Sequence, residues 1–205
     1  MPLPTTSPPS ARISASDMPF VVIYDANALY GNTLRDLLVR IAQASMVQAK
    51  WTNQILDEML GNLAADRPDI AHEKLARLRQ LMNSAVRDCL VEGHEPLIEG
   101  LKLPDPNDRH VLAAAIKAGA QVIVTSNLRD FPASDLEVWG LEARSPDDFV
   151  LDQIDLDDRV VWACVQQIVD SRVNPPETIE DVLDALERAG LVESVAALRS
   201  GRQNT

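Results

Sequence analysis

Asp25, Asp108 and Asp130 stand far apart in the chain, yet each lies where an apolar run meets a turn or a helix start. Asp25 directly follows the run Phe20-Val-Val-Ile-Tyr24, and Asp130 comes just after Gln121-Val-Ile-Val-Thr125. Asp108 sits in the first turn of a helix opened by Asp105-Pro106. A fourth acid comes from the helix that begins after Thr52. There Asp57 and Glu58 flank the apolar stripe on opposite sides, and the helical wheel leaves the two tied. Carboxylates gathered at one point repel unless a cation joins them. Oxygen donors without a His or Cys cluster suit Mg2+ or Mn2+. Such ions activate water and neutralise the charge that develops in phosphodiester hydrolysis.

Each acid also has a plain structural reading. Asp105 is a natural helix cap, Asp108 could merely serve the helix dipole, Asp25 could be a loop acid and Asp130 a turn residue. The argument for a site is therefore one of convergence, and convergence depends on the elements that carry the acids.

Those elements alternate between strand and helix. Phe20–Tyr24 and Gln121–Thr125 read as short buried strands, with weaker strands near 46–50, 88–92 and 138–143. Helices are expected over about 33–45, from Thr52 through Leu63, from Asp66-Pro68 to about Asn83, and from Pro106 to Ala118, where Gly119 stops the last. The pattern predicts an α/β fold of three layers, α/β/α, around a central parallel sheet of about five strands. Ligands of such sheets bind outside the carboxyl ends of the strands. Asp25 lies there directly, and so do Ser126, Asn127 and Asp130. The helix 106–118 runs antiparallel to the strand after it, so its N-terminus, and Asp108 on the face of Val111, Leu112 and Ala115, returns to the same edge.

From Ser145-Pro146 onward the pattern is helical only, about 146–154, 157–171 and 178–189, with Thr178 and Asp181 as a capping box and Gly190 as a stop. Residues 1–17, rich in Pro, Ser and Thr, read as a disordered leader, 18–150 as the α/β domain and 151–205 as a small C-terminal helical appendage.

Composition narrows the function classes. A net charge of −12 excludes a broad basic face for coating nucleic acid, though not an enzyme that meets phosphates through bound cations. Two cysteines give no disulfide framework, and no run has the roughly 18 apolar residues of a membrane span, so a cytoplasmic setting is expected.

The ordered string of Asp25-Ala-Asn27, Trp51-Thr-Asn-Gln-Ile-Leu-Asp-Glu58, Pro104-Asp-Pro-Asn-Asp108-Arg-His-Val-Leu-Ala-Ala-Ala115 and Val124-Thr-Ser-Asn127-Leu-Arg-Asp130-Phe-Pro resembles the PIN-domain ribonucleases. More narrowly it resembles the VapC-type toxins of bacterial toxin–antitoxin modules. The tail from Asn174-Pro-Pro to Leu198-Arg199 is similar to the helical extension of one subgroup. The resemblance implies an endoribonuclease using Mg2+ or Mn2+, breaks the tie on the second helix in favour of Glu58, and makes Asp25, Glu58, Asp108 and Asp130 the metal-holding quartet. It implies supporting roles for Thr125, Asn27, Asp105 and Asn127, the last standing where many PIN domains carry another Asp. Arg35 and Arg109 fit the subgroup and could contact substrate phosphates or form surface salt bridges. An RNA substrate, an inhibiting antitoxin and a homodimer are implied as well.

His110 falls on the far side of the wheel from the site. His72 and His94 read as surface residues, and Trp51, Trp139 and Trp162 as core or interface. Four alternatives compete. A haloacid-dehalogenase-type phosphatase needs a second Asp where Asn27 stands, and a receiver domain needs an Asp–Lys pair that is missing here. A degenerate, non-catalytic PIN domain would not need an intact quartet. A flap-type DNA nuclease would need large insertions that this chain lacks.

Overall fold

The computed structural model describes residues 20–202, so the expected leader at 1–17 lies outside the described residues. Four strands, β1 (Val21–Tyr24), β2 (Gln48–Lys50), β3 (Val122–Val124) and β4 (Glu142–Arg144), form one parallel sheet in the order β2-β1-β3-β4. The expected fifth strand near 88–92 is reduced to a single parallel bridge, Trp51 to Leu90, at the β2 edge. Trp51 N donates to Cys89 O at 2.9 Å and Val91 N to Trp51 O at 2.9 Å, so the pairing begins there without extending into a strand.

Connections from β1 lead to β2 on one side, and those from β3 lead to β4 on the other. The gap between the carboxyl ends of β1 and β3 is thus the point where chain direction reverses across the sheet, the place where parallel α/β sheets open a crevice. β1 and β3 are buried at nearly every position, as continuous apolar runs must be when helices cover both faces.

After β1 a short helix that the pattern did not predict, α1 (Ala26–Tyr30), precedes the expected one, α2 (Asn32–Gln43). α3 (Asn53–Asp66) begins as the sequence predicts, with the Thr52 hydroxyl accepting from Ile55 N at 3.0 Å. Asp66 and Pro68 do not open the next helix. Asp66 ends α3, Pro68 disfavours helix at Arg67 before it, and α4 (His72–Ala85) begins only after a loop in which Arg67 forks onto Asp69. A four-residue helix, α5 (Glu95–Ile98), precedes the helix that returns to the sheet. That helix starts as a 3-10 turn, Pro106–Asp108, and continues as α6 (Arg109–Ala118) until Gly119 turns left-handed at φ 63°. α7 (Ala133–Leu136) links β3 to β4.

α8 (Pro146–Ser171) joins the two helices expected at 146–154 and 157–171. Asp157 breaks the helical backbone between them, and its side chain accepts from Arg159 N and Val160 N, capping the second half. α9 (Ile179–Arg188) carries the predicted Thr178–Asp181 capping box. A further helix beyond Gly190, α10 (Val192–Arg202), was not expected from the sequence pattern. The residue before it, Leu191, carries no side-chain acceptor. Instead Asp147, from the first turn of α8, accepts from Glu193 N, Ser194 N and the Ser194 hydroxyl at 2.9, 2.9 and 2.6 Å.

One apolar core connects these parts. On one sheet face, Tyr24 stacks edge-on against Phe149 of α8 and donates its hydroxyl to Leu38 O of α2 at 3.2 Å. The oppositely directed crossover carries α6 to the other face, against β1 and β3. Cys89 and Cys164 are buried free thiols. Among the described residues no helix is long and apolar enough to cross a membrane.

Candidate active site

The hydrogen bond from Asp25 N to Val124 O, 3.0 Å, ties the ends of β1 and β3 together. It brings Asp25 and Thr125 side by side across a hundred residues of sequence. Asp25 is buried, and both its oxygens are engaged. Oδ1 accepts from Ala26 N at 2.7 Å; Oδ2 accepts from the Thr125 hydroxyl at 2.8 Å and from Asn27 Nδ2 at 2.6 Å. Asn27 in turn accepts from Ser126 N at 2.8 Å, and Asn127 N donates to the Thr125 hydroxyl at 3.1 Å. The two strand ends thus hold one carboxylate in a fixed pose. Burial raises its pKa, partly offset by the Thr125 and Ala26 bonds.

Asp108 faces the same crevice from the 3-10 turn before α6. Its Oδ2 is buried without a hydrogen-bond partner among the described residues. Burial, reinforced by the negative charges of Asp25, Asp105, Asp130 and Glu58, lifts its pKa to about 6. Asp105, Asp108 and Asp130 can place one oxygen each within 4.8 Å of one another. Asp105 does so while also capping the turn, its Oδ1 accepting from Asn107 N at 2.8 Å. Its structural reading and its place in the cluster are therefore compatible. Asp130 lies in the 3-10 turn Leu128–Asp130 and accepts a short hydrogen bond from Asn127 Nδ2.

The structure also separates the two acids that the helical wheel left tied. Asp57 points outward and pairs with Arg79 of α4, whereas Glu58 faces the crevice, its charge felt at both Asp25 and Asp108. The three-acid group of Asp105, Asp108 and Asp130 is therefore flanked by Asp25 and Glu58. A donor set made only of carboxylate oxygens, including one buried oxygen with no protein partner, fits a hard divalent cation such as Mg2+ or Mn2+.

Three sequence expectations need correcting. His110 does not point away from the site. It is only 4% exposed, and its Nε2 lies 3.5 Å from Glu58 Oε2. The wheel assumed that α6 has an outward face, but His110 through Ala115 are all buried, so its first turns have none. His94 is likewise buried and not a surface residue; neither ring nitrogen has a hydrogen-bond partner among the described residues, and Nδ1 lies 3.9 Å from Glu95 Oε2. Arg35 is buried and donates to Leu29 O, Tyr30 O and Asn32 Oδ1 at 2.8, 3.1 and 3.0 Å. Its donors satisfy the carbonyls that α1 leaves open at its end, which explains both its burial and its distance from any phosphate-binding role. Arg109 is half-buried next to Asp108, its Nε without a hydrogen-bond partner among the described residues.

Comparison with known proteins agrees with this geometry. The PIN domain family model matches residues 21–129, and the model described as the VapC50 C-terminal domain matches residues 146–200. A Mycobacterium tuberculosis (strain ATCC 25618 / H37Rv) protein named "Putative ribonuclease VapC50" is 48% identical over 79 residues, which are 38% of this chain and 47% of that protein. The match thus spans about half the length of the relative. No solved structure matches. With strand ends, acids and helices in this arrangement, and the PIN model covering more than half of its residues, the chain belongs to the PIN-domain family.

Proposed function

We propose that this chain is a metal-dependent endoribonuclease that hydrolyses phosphodiester bonds of single-stranded or looped RNA. We read it as the toxin of a toxin–antitoxin pair, cytoplasmic, restrained by a small antitoxin protein and able to form a homodimer. The observation that carries the reading is the gathering of Asp25, Glu58, Asp105, Asp108 and Asp130 at one strand edge. The relative's name, ribonuclease, and the VapC50 C-terminal match support the choice of substrate and setting. In this division residues 18–150 carry the chemistry and 151–205 form the extension, the two sharing α8.

Asp108, Asp130 and Asp105 would hold Mg2+ or Mn2+, with Asp25 and Glu58 closing the group. The ion would supply charge neutralisation and an activated water for attack at phosphorus. The protein's own share is positional. Thr125, Asn27 and Ala26 N fix the Asp25 carboxylate, and Asn127 fixes that of Asp130. Asp108 Oδ2, buried and without a hydrogen-bond partner among the described residues, stays available for the ion. Arg109 stands at the rim as the group for a substrate phosphate.

Asp25→Asn should lose cleavage of a mixed RNA pool in Mg2+ while its circular dichroism matches the parent. A variant that cuts as fast as the parent would remove Asp25 from the machinery and overturn the assignment.

A further inference from the structure

A histidine buried for packing alone normally has its ring nitrogens bonded to backbone carbonyls or amides. His110 does not. Its Nδ1 is buried without a partner, and its Nε2 reaches one polar group among the described residues, Oε2 of Glu58 at 3.5 Å. Glu58 shows the mirror image. Its side chain is 45% exposed and, among the described residues, His110 is its only polar partner. Two side chains from helices far apart in sequence, α3 and α6, are thus paired with each other at the rim of the acid cluster.

The pairing matters because Glu58 is the least constrained of the acids. Asp25 is fixed by three donors and Asp130 by Asn127, while Asp105 and Asp108 sit on a rigid turn. Glu58 has one more rotatable bond than any of them and no donor from its own helix. Holding such a side chain in one rotamer has an entropic cost, which falls on ion binding unless a neighbour has already set the pose. The His110 ring is immobilised by α6, whose first turns are buried all round.

We propose that His110 is a positioning residue, which donates from Nε2 to Glu58 and holds that carboxylate toward Asp25 and Asp108, readying the acid cluster for its ion. The inference rests on the metal-dependent reading above. Outer partners of metal-binding side chains typically contribute about 10- to 100-fold to affinity or turnover.

The test compares parent, His110→Leu, His110→Gln and Glu58→Gln in the full chain, each checked by circular dichroism. Mn2+ binding is followed by calorimetry and RNA cleavage by kcat and KM. His110→Leu should weaken Mn2+ binding about tenfold and lower kcat with KM for RNA little changed. His110→Gln, whose amide can donate from near the same place, should recover most of both. In the Glu58→Gln background the further change His110→Leu should weaken Mn2+ binding less than twofold, since the group it serves is gone. Equal Mn2+ affinities for parent and His110→Leu, or full tenfold loss persisting in the Glu58→Gln background, would overturn the positioning role while leaving the nuclease reading intact. His110→Gln no better than His110→Leu would do the same. A parent chain that takes up no Mn2+ would overturn both.

Discussion

The acids of the strand edge and those of the C-terminal helices are the same residue types under opposite regimes. In the C-terminal helices every acid singled out by the structure has a donor. Asp147 accepts from the N-terminus of α10, Asp181 completes its capping box, and Arg199 of α10 meets Glu180, Asp184 and Glu187 along α9. Burial works to raise the Asp147 carboxyl, but the donors from Ser194, Glu193 and Val192 outweigh it and hold it below the ordinary carboxylate range. At the strand edge Asp108 is raised instead, with an oxygen that no protein group satisfies. One region uses its negative charge to build helices; the other leaves it uncompensated, at a cost to the fold.

Substitutions can break that contrast. The largest effect belongs to Asp147→Ala, which strips three donors' worth of capping from α10. It should lower stability by about 2 kcal/mol, a fall in Tm of about 4–8 °C. The rise in Tm given by millimolar Mg2+ should not change. If that rise disappears as well, the two regions are not independent.

The next effect has the opposite sign. A carboxyl whose folded pKa is raised favours the fold below its ordinary value near 4 and withdraws that support as pH climbs through about 6. Metal-free protein should therefore melt lower at pH 7.5 than at pH 5 in its Asp108-dependent part. Asp108→Asn should recover about 1 kcal/mol at pH 7.5, a figure reduced from the full shift because the group is partly solvated. The same variant should gain less in Tm from Mg2+ than the parent. Calorimetry in chelator and in Mg2+ measures both, and equal Mg2+ gains would show that the raised carboxyl has no part in holding an ion.

Smallest is Arg199→Ala. Its ion pairs lie at the surface, so Tm should fall by only about 1 °C, and by less in about 1 M salt. A large, salt-insensitive loss would mean that Arg199 works through packing of its stem and not through its charge.

The same division decides what could be read from sequence. Convergence of Asp25, Asp108 and Asp130 was legible because each follows or opens an element whose direction is fixed by a short apolar strand. Thr52, Thr178 and Gly119 were legible as caps and stops because the cap chemistry is local. His110 was not, since the wheel presumes a solvent face that α6 does not possess. Periodicity left Asp57 and Glu58 tied as well, and only the family resemblance chose Glu58, because the choice depends on Arg79 of the neighbouring helix and on His110, contacts that no periodicity records. α10 escaped for a related reason. Its N-terminus is capped from Asp147, 46 positions upstream of Glu193, so no start signal stands beside it.

The bond between the Thr125 hydroxyl and Asp25 joins residues separated by 100 positions. During synthesis, Asp25 leaves the ribosome long before the strand that secures it exists. Any nascent or truncated product ending before Thr125 lacks that clamp, and one ending before Asp130 lacks an acid of the cluster too. Contacts this distant in sequence are also late and slow to form. On the nuclease reading, cutting power arrives only once most of the polypeptide has been made and docked, a built-in delay between translation and harm.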